Sequence, residues 1–125
     1  MRRIALVGAG GMIGSVGRYL VSGWVHRYFG SPWFPYGTLT VNSIGCLLIG
    51  YIMGLTEIRQ WFNPDTRVFL VVGILGGFTT FSAFGFETFA LARDGDMIRS
   101  AMNVGSQVAL GLVCVWAGYS LANYV

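Results

Sequence analysis

Four apolar runs separated by short polar breaks set the pattern of this chain. They cover roughly Ile4 to Val25, Gly37 to Leu55, Val68 to Leu91 and Ala101 to Tyr124. A helix of about 20 residues rises about 30 Å, the thickness of one hydrocarbon core. The expected fold is an all-α membrane protein with four transmembrane helices in a single domain, residues 1–125. The breaks carry loop chemistry. Gly30-Ser31-Pro32-Trp33-Phe34-Pro35 holds two prolines and interfacial aromatics, Glu57 to Arg67 holds Asn63-Pro64-Asp65, and Arg93-Asp94-Gly95-Asp96 is a polar turn. Trp24, Trp33, Trp61 and Tyr124 fall near segment ends, where aromatic belts lie.

The third run departs from the pattern. Its centre reads Gly76-Gly77-Phe78-Thr79-Thr80-Phe81-Ser82-Ala83-Phe84-Gly85-Phe86-Glu87, with adjacent glycines, three hydroxyls and a carboxylate. Backbone that leaves the helix at membrane depth survives only if it is buried in protein or lines a polar cavity. The third helix is therefore expected to break mid-membrane, and the broken stretch is the candidate site.

Composition agrees with a bilayer environment. The chain is 54% hydrophobic and 10% charged, whereas soluble domains run near a quarter charged. All eight basic residues are arginine, and apart from the adjacent Arg2 and Arg3 they are scattered singly, so the net charge of +3 marks no nucleic-acid surface. Cys46 and Cys114 sit in apolar segments and count as small hydrophobes. His26 is the only histidine, which excludes a histidine-rich metal site.

Two features of the N-terminus invite other readings. Arg2-Arg3 before an apolar run resembles a signal peptide, but three more spanning segments follow, so a first transmembrane helix is more economical. Ile4 to Gly14 resembles a dinucleotide loop. Ile13 stands where the last glycine is needed, and no acidic residue lies at ribose distance, so no organic cofactor is expected. The glycines fit helix packing instead. Gly10, Gly14 and Gly17 share a face, and Gly50 with Gly54 and Gly73 with Gly77 repeat the close-approach spacing. No base, nucleophile and orienting group cluster, so an enzyme is not expected.

The arginines show no inside–outside bias. Arg2, Arg3, Arg59 and Arg67 fall on one side; Arg27, Arg93 and Arg99 fall on the other, with Arg18 near that end of the first helix. Balanced charge assigns no orientation and fits a dual-topology chain that pairs head to tail.

Several residues carry candidate chemistry. Thr38 and Asn42 share a helix face that Gly45 continues; they make either an interhelical hydrogen bond or a donor wall for an anion. Asn103, Gln107, Gly111, Cys114 and Gly118 form one small, polar stripe, either a tight helix contact or the wall of an aqueous track. Arg18 and Glu87 are charges at depth, which pair, cap the bundle or sit in watery vestibules. Phe81 and Phe84 share a face, with Phe78 a third member. Ring edges are electropositive and attract a small anion without holding it tightly.

Gly76 to Phe84, together with Gly37-Thr38-Leu39-Thr40-Val41-Asn42, resembles the Fluc/CrcB family of small fluoride channels. That family shows a G-G-x-[ST]-T-F-S-T-F-S run in its third helix and G-T-L-x-V-N in its second. The resemblance covers the whole chain. It implies a fluoride-selective channel in the inner (plasma) membrane, working as an antiparallel homodimer with two pores between subunits. It places Asn42, Phe81 and Phe84 along each anion path, with Thr38, Thr80 and Ser82 in the polar surroundings and Arg18 in a vestibule. The carbonyls of Gly76 and Thr79 would hold a structural sodium ion, and Glu87 matches an acidic position after the run.

The chain departs from that pattern at Ala83 and Gly85, and at Gly111 and Val115, where the family often carries hydroxyls. Gln107 or Asn103 would substitute, or the chain would be one half of a heterodimer. The competing reading is a small dual-topology, proton-coupled exporter of organic cations, for which Glu87 is the only carboxylate candidate. A structural membrane subunit is a third class.

Overall fold

The computed structural model describes residues 1–30 and 33–125; Ser31 and Pro32, in the first expected loop, lie outside the described residues. The regular structure is entirely helical among them. Helix α1 spans Arg2–Phe29 and α2 spans Tyr36–Arg59. The third span opens with α3, Pro64–Arg67, continues as a π-helix over Val68–Leu75 and α4 over Gly76–Phe78, and resumes as α5, Phe81–Arg93. Helix α6 spans Met97–Ala122. Four spans are long and apolar enough to cross a membrane, with mean hydropathy of 1.4 to 1.9 in their best windows.

The helices overrun the apolar segments at nearly every end. Hydropathy marks the hydrocarbon depth, but the hydrogen-bond ladder continues beyond it, to the exposed Arg2, Arg3, Arg27 and Arg59 and the half-buried Arg99. The exception is the C-terminus: α6 ends at Ala122, so Tyr124 lies beyond it. Local chemistry sets the stops. Gly30 closes α1 at φ 60, in the left-handed region that glycine enters freely. Asn63 accepts the Thr66 N–H at 2.8 Å, with Pro64 in the first turn, and Asp96 accepts the Arg99 N–H at 3.0 Å. The π-helical segment was not anticipated from the sequence, whose unbroken apolar run carries no period that separates i→i+5 from i→i+4 bonding.

Packing is pairwise. Helix α1 lies against the first half of the third span, and α2 lies against α6. Both contacts are close because glycines face backbone. A Cβ on Gly10 would sit 2.9 Å from the Gly73 Cα, and one on Gly118 would run into the Leu47 carbonyl. Gly17, expected on the same contact as Gly10 and Gly14, instead faces the Phe78 ring at an ordinary 3.5 Å. The outer surface is apolar: Ile4, Leu20, Val72, Leu112 and Trp116 are all exposed. With four apolar spans and a surface of this kind, the chain is a multi-pass membrane protein. Among the described residues, ion pairs sit only in the loops and helix ends: Arg2 and Arg3 meet Asp65, Arg93 meets Asp94, and Arg99 meets Asp96.

Candidate functional site at the broken third span

The helix opens at two residues. Thr79 has φ −81 and ψ 160, Thr80 has φ −150 and ψ 116, and both are extended. Their hydroxyls bond to backbone on either side of the break, Thr79 as a second donor beside its own N–H and Thr80 in place of a lost acceptor. Thr79 Oγ1 donates to the Leu75 carbonyl at 2.9 Å, and Thr80 Oγ1 accepts the Ala83 N–H at 3.2 Å, capping α5. Gly45 of α2 makes room for the break, since a Cβ there would run into Thr79 Cγ2.

Asn42 pins the opened backbone from α2. Its Oδ1 accepts the Thr80 N–H at 2.9 Å, and its Nδ2 donates to the Thr80 carbonyl at 3.1 Å. The remaining Nδ2 hydrogen goes to Gln107 Oε1 of α6, also at 3.1 Å. The interhelical bond and the anion wall were open alternatives for Asn42. The structure fills every hydrogen-bonding position of its amide except the second lone pair of Oδ1, so Asn42 offers no free N–H. Thr80 N–H is the donor that an unbroken helix would give to the Gly76 carbonyl, and Arg18 Nη1 donates to the Thr79 carbonyl at 3.3 Å.

These residues wall an open cleft of about 420 Å³, shared by Asn42, Gly76, Thr80, Phe81, Phe84 and Gln107. The Phe81 and Phe84 rings meet edge to face, with centroids 5.4 Å apart. Phe84 is half-buried, whereas Phe81 is 82% exposed at the cleft mouth. Ser82 Oγ lies 3.3 Å from Thr80 Oγ1. Cys46, read from the sequence as a plain hydrophobe, also lines the wall.

The other candidates lie apart from this cleft. Thr38 is buried and donates to Glu87 Oε1 at 2.6 Å, so the face it shares with Asn42 divides between two environments. The second oxygen, Glu87 Oε2, is buried with no partner among the described residues. Arg18 and Glu87 form no ion pair among them. Arg18 lines a separate cavity of about 640 Å³ with Ser22, His26 and Arg27. The α6 stripe is largely helix contact. Gly118 meets α2, Gly111 faces Cys46 Sγ, and Asn103 is fully buried, donating to Thr88 Oγ1 at 2.9 Å. Sequence reasoning missed Thr88, whose hydroxyl inside an apolar run was the available signal. Only Gln107 of the stripe reaches the cleft.

The backbone oxygens at the break suit a hard monovalent cation such as sodium, because they are neutral and the Gly76 carbonyl has lost its i+4 donor. The Arg18 guanidinium uses one of the two lone pairs on the Thr79 oxygen. No cluster of three or more His, Cys, Asp or Glu residues that could hold a metal occurs among the described residues.

Comparison with known proteins gives one consistent family. Residues 5–119 match the family model described as CrcB-like protein, Camphor Resistance (CrcB). The chain is 47% identical to a fluoride-specific ion channel FluC of Methylobacillus flagellatus, over 98% of this chain and 96% of that one. It is 45% identical to the protein of the same name from Geobacter metallireducens, over 98% and 95% of the two chains. A third relative, fluoride-specific ion channel FluC 3 of Methanosarcina barkeri, is 43% identical over 98% and 91%.

Proposed function

We propose, from the premise that this chain belongs to the CrcB-like family, that it is a fluoride-selective channel of the inner membrane allowing passive efflux. The observation that carries the reading is the cleft where the third span opens. Asn42, Thr80, Phe81, Phe84 and Gln107 converge there around backbone released from the helix, in relatives' terms the stretch of a chain nearly half identical to proteins named fluoride channels.

Fluoride is small and tightly hydrated, so stripping it costs tens of kcal/mol by Born arguments. A path must replace water with donors and still release the ion. Hydroxyls of Thr80 and Ser82 supply donors. The edges of Phe81 and Phe84 supply weak positive surface, which attracts without trapping. Helix α5 starts at this wall, and the first-turn N–H groups of a helix favour an anion. A narrow passage rejects larger chloride.

The cleft is open on one side, and Phe81 stands exposed at its mouth. A second, inverted copy of the chain would close it and give two paths per dimer. Balanced arginines on the two faces support that arrangement. Gly76 and Thr79 would then present carbonyls from both copies near the dimer axis, and a sodium ion there would supply positive charge to hold the four broken-helix ends together. Arg18 and its cavity serve as the vestibule.

The test is flux from proteoliposomes read with a fluoride electrode. Fast fluoride release with chloride retained is the expected result. Comparable chloride release, or no fluoride release from the purified chain reconstituted alone, overturns the homodimeric channel; fluoride release only on adding a second related chain gives the heterodimer.

A further inference from the structure

We propose that the side-chain amide donor meeting fluoride in this cleft is Gln107 Nε2, with Asn42 acting as the positioning residue that aims it. The inference rests on the fluoride-channel reading and names a donor within it. The starting point is the backbone of Thr80, whose N–H and C=O admit only one orientation of the Asn42 amide: Oδ1 toward the N–H at 2.9 Å and Nδ2 toward the C=O at 3.1 Å. With Nδ2 fixed, its second hydrogen points at Gln107, and only an acceptor can stand there. Gln107 must therefore present Oε1, as it does at 3.1 Å. The backbone thus dictates two amides in sequence, and no exchange of O and N at either one survives.

The consequence is an orphan. Gln107 Nε2 is buried and carries two hydrogens with no partner among the described residues. Leaving a buried donor unmade is unfavourable, so the position favours an acceptor that arrives from the cleft Gln107 borders. An amide N–H pair suits a small hard anion. Gln107 also lies one helical turn before Gly111, which has no hydroxyl to offer. Asn42 has no N–H left for the task.

The chain contains two glutamines, Gln60 and Gln107, so selective 15N-glutamine labelling gives two side-chain amide signals, assigned by Gln60→Glu outside the spans. Adding sodium fluoride to the full chain in detergent should shift the Gln107 signal, and sodium chloride at equal concentration should leave it in place. In Asn42→Ala the fluoride needed for a half-maximal shift should rise at least tenfold. In proteoliposomes, Gln107→Leu and the isosteric Gln107→Glu should each lose at least tenfold in fluoride flux. A Gln107 signal blind to fluoride, or flux within twofold of the unaltered chain in both variants, overturns the proposal while leaving the channel reading intact. An Asn42→Ala protein with unchanged fluoride response overturns the positioning role. If the variants fail to fold, the amide signal of the unaltered chain decides alone. Absence of fluoride flux in the unaltered chain is the separate result that defeats the channel reading.

Discussion

The amide of Asn42 pairs with both backbone groups of Thr80, accepting its N–H at 2.9 Å and donating to its carbonyl at 3.1 Å. One side chain on α2 therefore holds the third span open, as a neighbouring strand would. Asn42→Ala removes both bonds and leaves part-buried backbone groups unpartnered, which costs about 1–3 kcal/mol. Thermal unfolding in detergent should show the loss, and fluoride flux should fall with it. An unchanged melting profile would mean that the break is held by other contacts.

The two rings at the cleft are expected to act on the ion, with little part in folding. Phe81 is exposed in the chain alone, so its substitution disturbs little internal packing. Phe81→Ile and Phe84→Ile keep apolar bulk but remove the aromatic edge. Each should reduce fluoride flux by about tenfold or more, equivalent to roughly 1.4 kcal/mol, with helix content and elution volume unaltered. Normal flux in both variants removes the rings from the pathway.

Glycines on α6 should differ sharply in tolerance. A Cβ at Gly118 runs into the Leu47 carbonyl, so Gly118→Ala must push α2 and α6 apart, costing about 1–3 kcal/mol. At Gly111 the nearest atom is Cys46 Sγ at 3.5 Å, an ordinary contact, so Gly111→Ser should fold normally. Comparing the two unfolding midpoints checks the α2–α6 interface directly.

Thr38 supports Glu87 inside the bundle. Thr38→Val is close in shape but removes the 2.6 Å bond to Oε1, leaving both carboxylate oxygens without a partner among the described residues. A loss of about 1–3 kcal/mol is expected, with Thr38→Ser retaining most of the stability. Equal unfolding midpoints for the two variants would show that the bond contributes nothing.

The inverted pairing is testable by labelling. A tag at the C-terminus should be accessible from both faces of an intact membrane preparation, and the purified chain should have the mass of a dimer. Access from one face only would exclude dual topology.

Composition and hydropathy were sufficient to identify four spans, because crossing lipid forces about 20 apolar residues into each helix whatever its neighbours do. The break was legible as well: glycines beside a run of hydroxyls, as at Gly76 to Ser82, conflict locally with a spanning helix, and that conflict sits in the sequence itself. The roles of Asn42, Thr38 and Gln107 were not legible, because a helix period places residues on a face but does not say which neighbour lies opposite. Tertiary packing turned Thr38 toward Glu87, and it turned Asn42 toward the Thr80 backbone. It also left the Gln107 amide with a donor unmet among the described residues. Hydrogen bonds are short and directional, so a polar residue's role is fixed only once the chain has brought a specific partner within about 3 Å.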